Sequence, residues 1–300
     1  NGRIPTVLII DCEPDHRASL PTDPSPWAGF EAMAEQVDAL RDRLATATRS
    51  DARLAWGVRM DAQIATLYGS PTWAVERYEA FFDRMRAGGD IVGLHTHPLR
   101  WTGPDSGWES DYTEAWVQSV AEASFDTFAS AFGSPPSFHS FGENFMTTPL
   151  MNLARRRGAR FDFTLAPGER RLRPFREFDV RFTGVRPGFE TVPRSPYCPS
   201  ADDFRRPLPD VTPATAPFLA VPMSSGRYVP APVLGPRGTG GAHVARRAVT
   251  RARHHLGTVR RTVLRQPHPA YCMLNMAADW RSPVHFWDAA FAAADEQPSP

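Results

Sequence analysis

The sequence predicts an α/β fold built on a parallel sheet or barrel, and three observations carry that expectation. Strand-like and helix-like patterns alternate through the first half of the chain. Two of the strand-like runs end in same-face pairs of polar side chains, "DCE" and "HTH", as the carboxyl ends of parallel strands do around a site. The 300 residues are 42% apolar, enough for one substantial core.

Taken in order, "TVLIIDCE" is a short aliphatic run and reads as the first strand. Phe30, Met33, Val37, Leu40 and Leu44 recur at three- and four-residue spacing and predict an amphipathic helix. "ARLAWGVRMD" reads as a second strand. A helix is expected from about Pro71 to Arg86, with proline near its start and "AGG" at its end. "DIVGLHTH" is a buried strand stopped by Pro98, and a long helix follows from about Tyr112 to Phe132. "SFHSFG", the helix "TPLMNLARRRG" and the strand "ARFDFTL" continue the alternation. Between Ala166 and Val221 periodicity gives way to proline, arginine and glycine, which reads as an irregular insertion over one face of a single domain spanning 1–300. "FLAVPMS" emerges as a strand. An arginine-faced helix is expected over His243–Arg265, a last buried strand at "AYCMLNM" and a terminal helix at "PVHFWDAAFAAA".

Net charge is only +1, which gives no reason to expect a nucleic acid or another polyanion as partner. All 34 basic residues are arginines, and with 30 prolines this is the coding bias of a GC-rich genome. No run is long and apolar enough for a membrane span, and "RIPTVLIIDCE" enters a strand without an export signal. The cytoplasm is therefore expected over secretion, although an Asn-Gly start is what a trimmed chain would show. Three widely spaced cysteines are no disulfide framework. Oligomeric state is not legible.

The chemistry gathers at strand ends. Side chains at i and i+2 of a strand share a face. His95 and His97 should therefore project together, and so should Asp11 and Glu13, with Cys12 turned into packing. Two imidazoles and two carboxylates on one rim form a mixed nitrogen and oxygen set suited to zinc or a similar divalent ion. One carboxylate can hold the metal while the other stays free as a base for an activated water. The alternative is that Asp11 caps a turn and the histidines are ordinary loop residues.

The succession "VLIIDCEPD", "GDIVGLHTHP", "PPSFHSFGENF" and "RRRGARFDFTL" resembles the polysaccharide deacetylase pattern (NodB homology, carbohydrate esterase family 4) over about Thr6 to Leu165, and more weakly to about Asp279. The resemblance implies an irregular, deformed (β/α) barrel, here with a long Pro-rich loop insertion over its mouth. It implies a metal-dependent hydrolase that removes an acetyl or other acyl group from an N-acylated amino sugar or glycan. Asp11 would be the catalytic base and Glu13, His95 and His97 the ligands of a divalent metal, zinc first.

The chain also departs from that pattern. Its first motif is D-x-E rather than two adjacent aspartates, and one residue separates the histidines instead of three, with Leu99 at the usual second position. His139 stands where an arginine orients the base, and Asn275 and Met276 stand where the last strand offers the histidine that protonates the leaving amine. His139 is the replacement acid expected here, with His268 and His285 behind it; a hydrogen-bonded loop histidine is the alternative. Arg59 and Asp61 either hold a polar substrate or pair with each other. Trp101, with Trp108 beyond it, either stacks on a sugar or packs under a loop. Asp162 either contacts substrate or orients a neighbour. Two other functions stay open: an amidohydrolase acting on a small non-glycan C–N bond, and a non-catalytic glycan-binding relative.

Overall fold

The computed structural model describes residues 7–169, 171 and 180–223, together with the strand backbones at 175–177, 225–227 and 271–273. In chain order the elements begin with β1 (Ile9–Cys12), α1 (Ala28–Thr48), β2 (Ala55–Arg59) and α2 (Ala62–Tyr68). They continue with α3 (Trp73–Arg77), α4 (Glu79–Ala87), β3 (Ile91–Thr96), β4 (Leu99–Trp101), β5 (Trp108–Asp111) and α5 (Glu114–Phe132). Then come β6 (Phe138–Phe141), α6 (Thr148–Arg156), β7 (Phe161–Asp162), β8 (Phe175–Glu177), β9 (Val180–Thr183), β10 (Leu219–Ala220), β11 (Ser225–Arg227) and β12 (Tyr271–Met273).

The chain divides into two compact units. The first holds 1–165, 171–187 and 196–221; the second holds 166–170, 188–195 and 222–300. In the second unit β11 and β12 pair antiparallel, so "AYCMLNM" contributes a strand whose described partner is β11. The expected helices at His243–Arg265 and at the C-terminus lie outside the described residues, as do His268, Asn275, Met276 and His285.

The first unit is built on a six-stranded sheet in the order β1-β2-β3-β6-β7-β10, every neighbouring pair parallel. Strands therefore follow one another in chain order, and all carboxyl ends lie along one edge. Register aligns Asp11 with Gly57, Arg59 with His95, and His95 with Ser140. Those residues share one face, while Leu94 and its register partner His139 belong to the other. Toward the amino ends of the first face, Ala55, Phe138 and Phe163 form a small core with Ile9, Ile91, Phe161 and Val221. Gly93 is needed there, because a Cβ would lie 2.4 Å from the Phe138 ring.

On the opposite face α5 buries Val117, Val120, Ala121, Phe125 and Phe128, and the aromatic rings of α1, α3 and α4 interlock through Phe30, Trp73, Tyr78 and Phe82. The helix expected over Pro71–Arg86 is broken at Tyr78, which closes α3 and opens α4 with φ −116° and ψ 27°. Asp61 caps α2, accepting from the backbone N–H groups of Gln63 and Ile64.

A second, four-stranded sheet runs β4-β5-β9-β8. It was not legible in the sequence: β4 and β5 form a hairpin through the Gly- and Ser-containing turn, with Gly103 and Gly107 at φ 113° and 70°. The stretch read as an irregular insertion thus supplies β8 and β9 to this sheet, while "FLAVPMS", read as a strand, supplies β10 to the main one. Cys12 and Cys198 are buried and free. Among the described residues no helix is long and apolar enough to cross a membrane.

Candidate metal centre

Glu13, His95 and His97 come together at and just beyond the carboxyl ends of β1 and β3, with one donor atom from each lying within 4.8 Å of the others. The two-residue spacing brings this about: His95 ends the register shared with Arg59, and His97 follows on the same face. Their Nε2 atoms face each other at 2.9 Å, and Glu13 Oε2 lies 3.4 Å from His97 Nε2. Both histidines are buried, whereas the Glu13 side chain is about one-third exposed, at 37%. Asp11 stands beside them, its carboxylate open to solvent and Oδ1 3.7 Å from His95 Nδ1.

The donor set suits a divalent ion of the zinc type: two imidazoles, one carboxylate, and a solvent-facing side. A tetrahedral zinc holds ligand nitrogens about 3.3 Å apart for Zn–N bonds of about 2.0–2.1 Å. The histidine nitrogens stand somewhat closer than that, so a slight ring rotation admits the ion. His95 Nδ1 is buried and makes no hydrogen bond.

Electrostatics bind the cluster tightly. Burial alone would raise the Glu13 carboxyl, but the His97 hydrogen bond and the charges of His97, His95 and Arg59 hold it well below the usual carboxylate range. Burial holds His95 below its ordinary range despite the pull of Asp11. For His97, burial and Arg59 push downward, and hydrogen bonds to Glu13 and Glu143 outweigh them, so it is raised.

Arg59 sits beneath the cluster, 1% exposed. It donates to Asp61 through Nε at 2.6 Å and Nη2 at 3.0 Å, to Gln63 Oε1 at 2.7 Å and to Glu13 Oε2 at 3.1 Å. Asp61 in turn accepts the backbone N–H of His97 at 3.0 Å. Of the two alternatives for these residues, the structure places them in a pair with each other. Both are buried, and Arg59 reaches the rim only to hold Glu13.

His139 and Asp162 are not part of this cluster. Register puts His139 opposite Leu94, on the face away from His95. It is fully buried, Nδ1 lies 2.9 Å from Asp162 Oδ2, and its ring packs 5.3 Å from Phe125 of α5. Asp162 also accepts the backbone N–H of Thr164. The expectation of His139 as an acid on the rim is therefore corrected by strand parity: one residue along a strand is the other face. Asp162 faces His139, and neither side chain reaches the cluster. Trp108 is buried and donates to the Ser19 carbonyl at 2.7 Å, with Trp101 half-buried against it.

One residue that the sequence reading passed over stands against His97. Glu143, in the turn after β6, places Oε1 3.3 Å from His97 Nδ1. The signal was present in "SFGENF", a carboxylate directly after a strand whose carboxyl end faces the site. Comparison with family models, with curated proteins and with solved structures finds no match to this chain. Fold and site together define a mixed α/β protein whose mostly parallel sheet carries a two-histidine, one-carboxylate cluster able to hold a metal ion.

Proposed function

We propose that this chain is a zinc-dependent hydrolase that removes an acyl group, acetyl above all, from an N-acylated amino sugar or glycan, on an irregular (β/α) barrel of the polysaccharide deacetylase type. The single observation that carries the reading is the convergence of Glu13, His95 and His97 beside an exposed Asp11 at one strand edge. When bound, a zinc ion supplies Lewis acidity for an amide carbonyl and lowers the pKa of a nearby water.

The chain's own residues do the rest. Asp11 is the free carboxylate of the rim, and it takes the proton from the attacking water. That proton is then available for the leaving amine, so the reaction balances without a second acid, which matters because His139 is enclosed on the far face. Arg59 holds the Glu13 carboxylate from below and keeps it ionised. Burial of both histidines excludes water from their far sides and keeps the ligand set aimed at one point.

A smaller amide is the second reading, and one observation favours it. Trp108 is tied down beneath its loop, so of the two tryptophans only Trp101 offers a partly open ring for sugar stacking.

The test is metal content by mass spectrometry, beside a His95→Ala/His97→Ala double variant. About one equivalent of a divalent metal in the wild type, lost in the variant, is expected. Acetate release from N-acetylated sugars and from small N-acyl amides then separates the two substrate classes. No metal in either protein after reloading would sink the reading.

A further inference from the structure

Glu143 has no place in the reaction just described, yet its backbone and both carboxylate oxygens are held by neighbours. It occupies φ 57°, ψ 19°, and Asn144 follows at φ 51°, a pair of left-handed residues without a glycine. Such backbone persists only where surrounding contacts hold it, and it gathers at functional sites. Here the contacts are plain. Arg186 Nη1 donates to the Glu143 carbonyl at 2.8 Å, Tyr112 and Ser110 donate their hydroxyl hydrogens to Oε2, and Arg17 lies 3.4 Å from Oε1. The free position on Oε1 is directed at His97 Nδ1, 3.3 Å away. Gly142 permits the approach: a Cβ there would lie 2.2 Å from His97 Nε2.

We infer that Glu143 is a positioning residue that accepts the His97 Nδ1–H and fixes the ring, so that Nε2 faces Glu13 and His95 as the atom a metal would take. A carboxylate is an acceptor only, so the hydrogen between the two must sit on Nδ1. The backbone N–H of His97 donates to Asp61, so the residue is anchored at both ends. His95 has no equivalent: its Nδ1 makes no hydrogen bond. The two histidines are therefore unequal, with His97 pre-set as a ligand and His95 free to adjust. Carboxylate partners of metal-bound histidines act in this way generally, fixing ring and tautomer. The inference rests on the proposed metal site for its purpose, but the Nδ1–H contact itself is a property of the metal-free protein.

The experiment has two readouts. Nitrogen-15 NMR of the metal-free protein reports whether His97 Nδ1 carries an exchange-protected proton, and competition with a chromophoric chelator reports zinc affinity. Three variants are compared with wild type: Glu143→Gln, Glu143→Gly and Glu143→Asn. Glutamine keeps an acceptor and should keep the protected Nδ1 proton. Glycine and asparagine both tolerate the left-handed backbone, and asparagine is one methylene too short to reach, so folding and positioning are separated. Both should lose the protected Nδ1 proton and weaken zinc by about 10–100-fold. An unchanged Nδ1 proton and affinity in the glycine and asparagine variants would overturn the inference. Complete loss of zinc, as in His97→Ala, would overturn it too, by making Glu143 a ligand. If wild type takes up no zinc, the hydrolase reading falls, and the Nδ1 proton alone decides the role of Glu143.

Discussion

Arg59 shows how much one buried side chain can hold in place. Its guanidinium satisfies Asp61 twice, Gln63 once and Glu13 once; burial would raise the Asp61 carboxyl, but the charge and hydrogen bonds of Arg59, together with those of His97, hold it low. Asp61 then caps α2 and holds the His97 backbone. Removing the cation leaves a buried carboxylate uncompensated, which costs far more than the pair itself contributes. Arg59→Met, of similar length and no charge, is expected to lose about 3–5 kcal/mol of stability in denaturant titration. A loss under about 1 kcal/mol would mean that Asp61 is satisfied by other donors. "WGVRMD" showed both residues on one face, and the choice between pairing and substrate binding was open there because spacing says nothing of depth. The bidentate geometry and the near-complete burial decide it.

At the scale of elements, β3 and β6 are the pair that matters, since their register sets which residues face the site. Phe138 lies across Gly93, two residues before His95. Gly93→Ala places a methyl group into that ring. It is expected to cost about 1–3 kcal/mol as an overpacked core, and thermal unfolding read beside zinc affinity checks it. If Phe138 rotates aside at no cost, stability will be unchanged and the packing is looser than the distances imply. The same register explains the correction to His139. The sequence showed a histidine near the end of a strand, but not which of two faces it occupied, because a β-strand inverts with every residue and its pairing partner is distant in sequence. The β4–β5 hairpin was missed for a related reason: its strands are short, and β5 pairs on its other side with β9, some seventy residues on, so no local pattern announces them.

On the scale of the whole molecule, the site leaves a mark on acid stability. Glu143 is held at about 2, because the hydrogen bond and charge of His97, with Arg17 and Ser110, outweigh its burial. Glu13 and Asp61 are lowered as well. A carboxylate with a depressed folded pKa contributes stability that is fully present above its unfolded value and is lost as pH falls through the folded one. The metal-free protein should therefore lose stability steadily from the ordinary carboxylate value of 4.5 down toward about 2. His95 is lowered and His97 raised, so their contributions around the histidine range oppose each other. Denaturant midpoints measured across that acid window, in wild type and Glu143→Gln, check this. The variant should show a shallower fall, and identical slopes would contradict the assignment.

What the sequence alone determined is the local half of this protein. The alternation of apolar runs and helical stripes made β1, β2, β3, α1, α5 and β6 legible, since the helices bury one face and record it in their periodicity, whereas β2 and β6, buried on both faces, read as short apolar runs. The two-residue spacings in "DCE" and "HTH" made Glu13, His95 and His97 legible, because a strand places such residues on one side whatever surrounds it. Tertiary structure alone decided which neighbours those residues meet. It turned His139 away with Asp162, buried Arg59 under Glu13, split the chain into two compact units, and brought Glu143 to His97 from 46 residues away. The physical reason is that facing depends on the chain's own dihedral period, whereas contact depends on strand order and register, which are set by burial summed over the whole sheet.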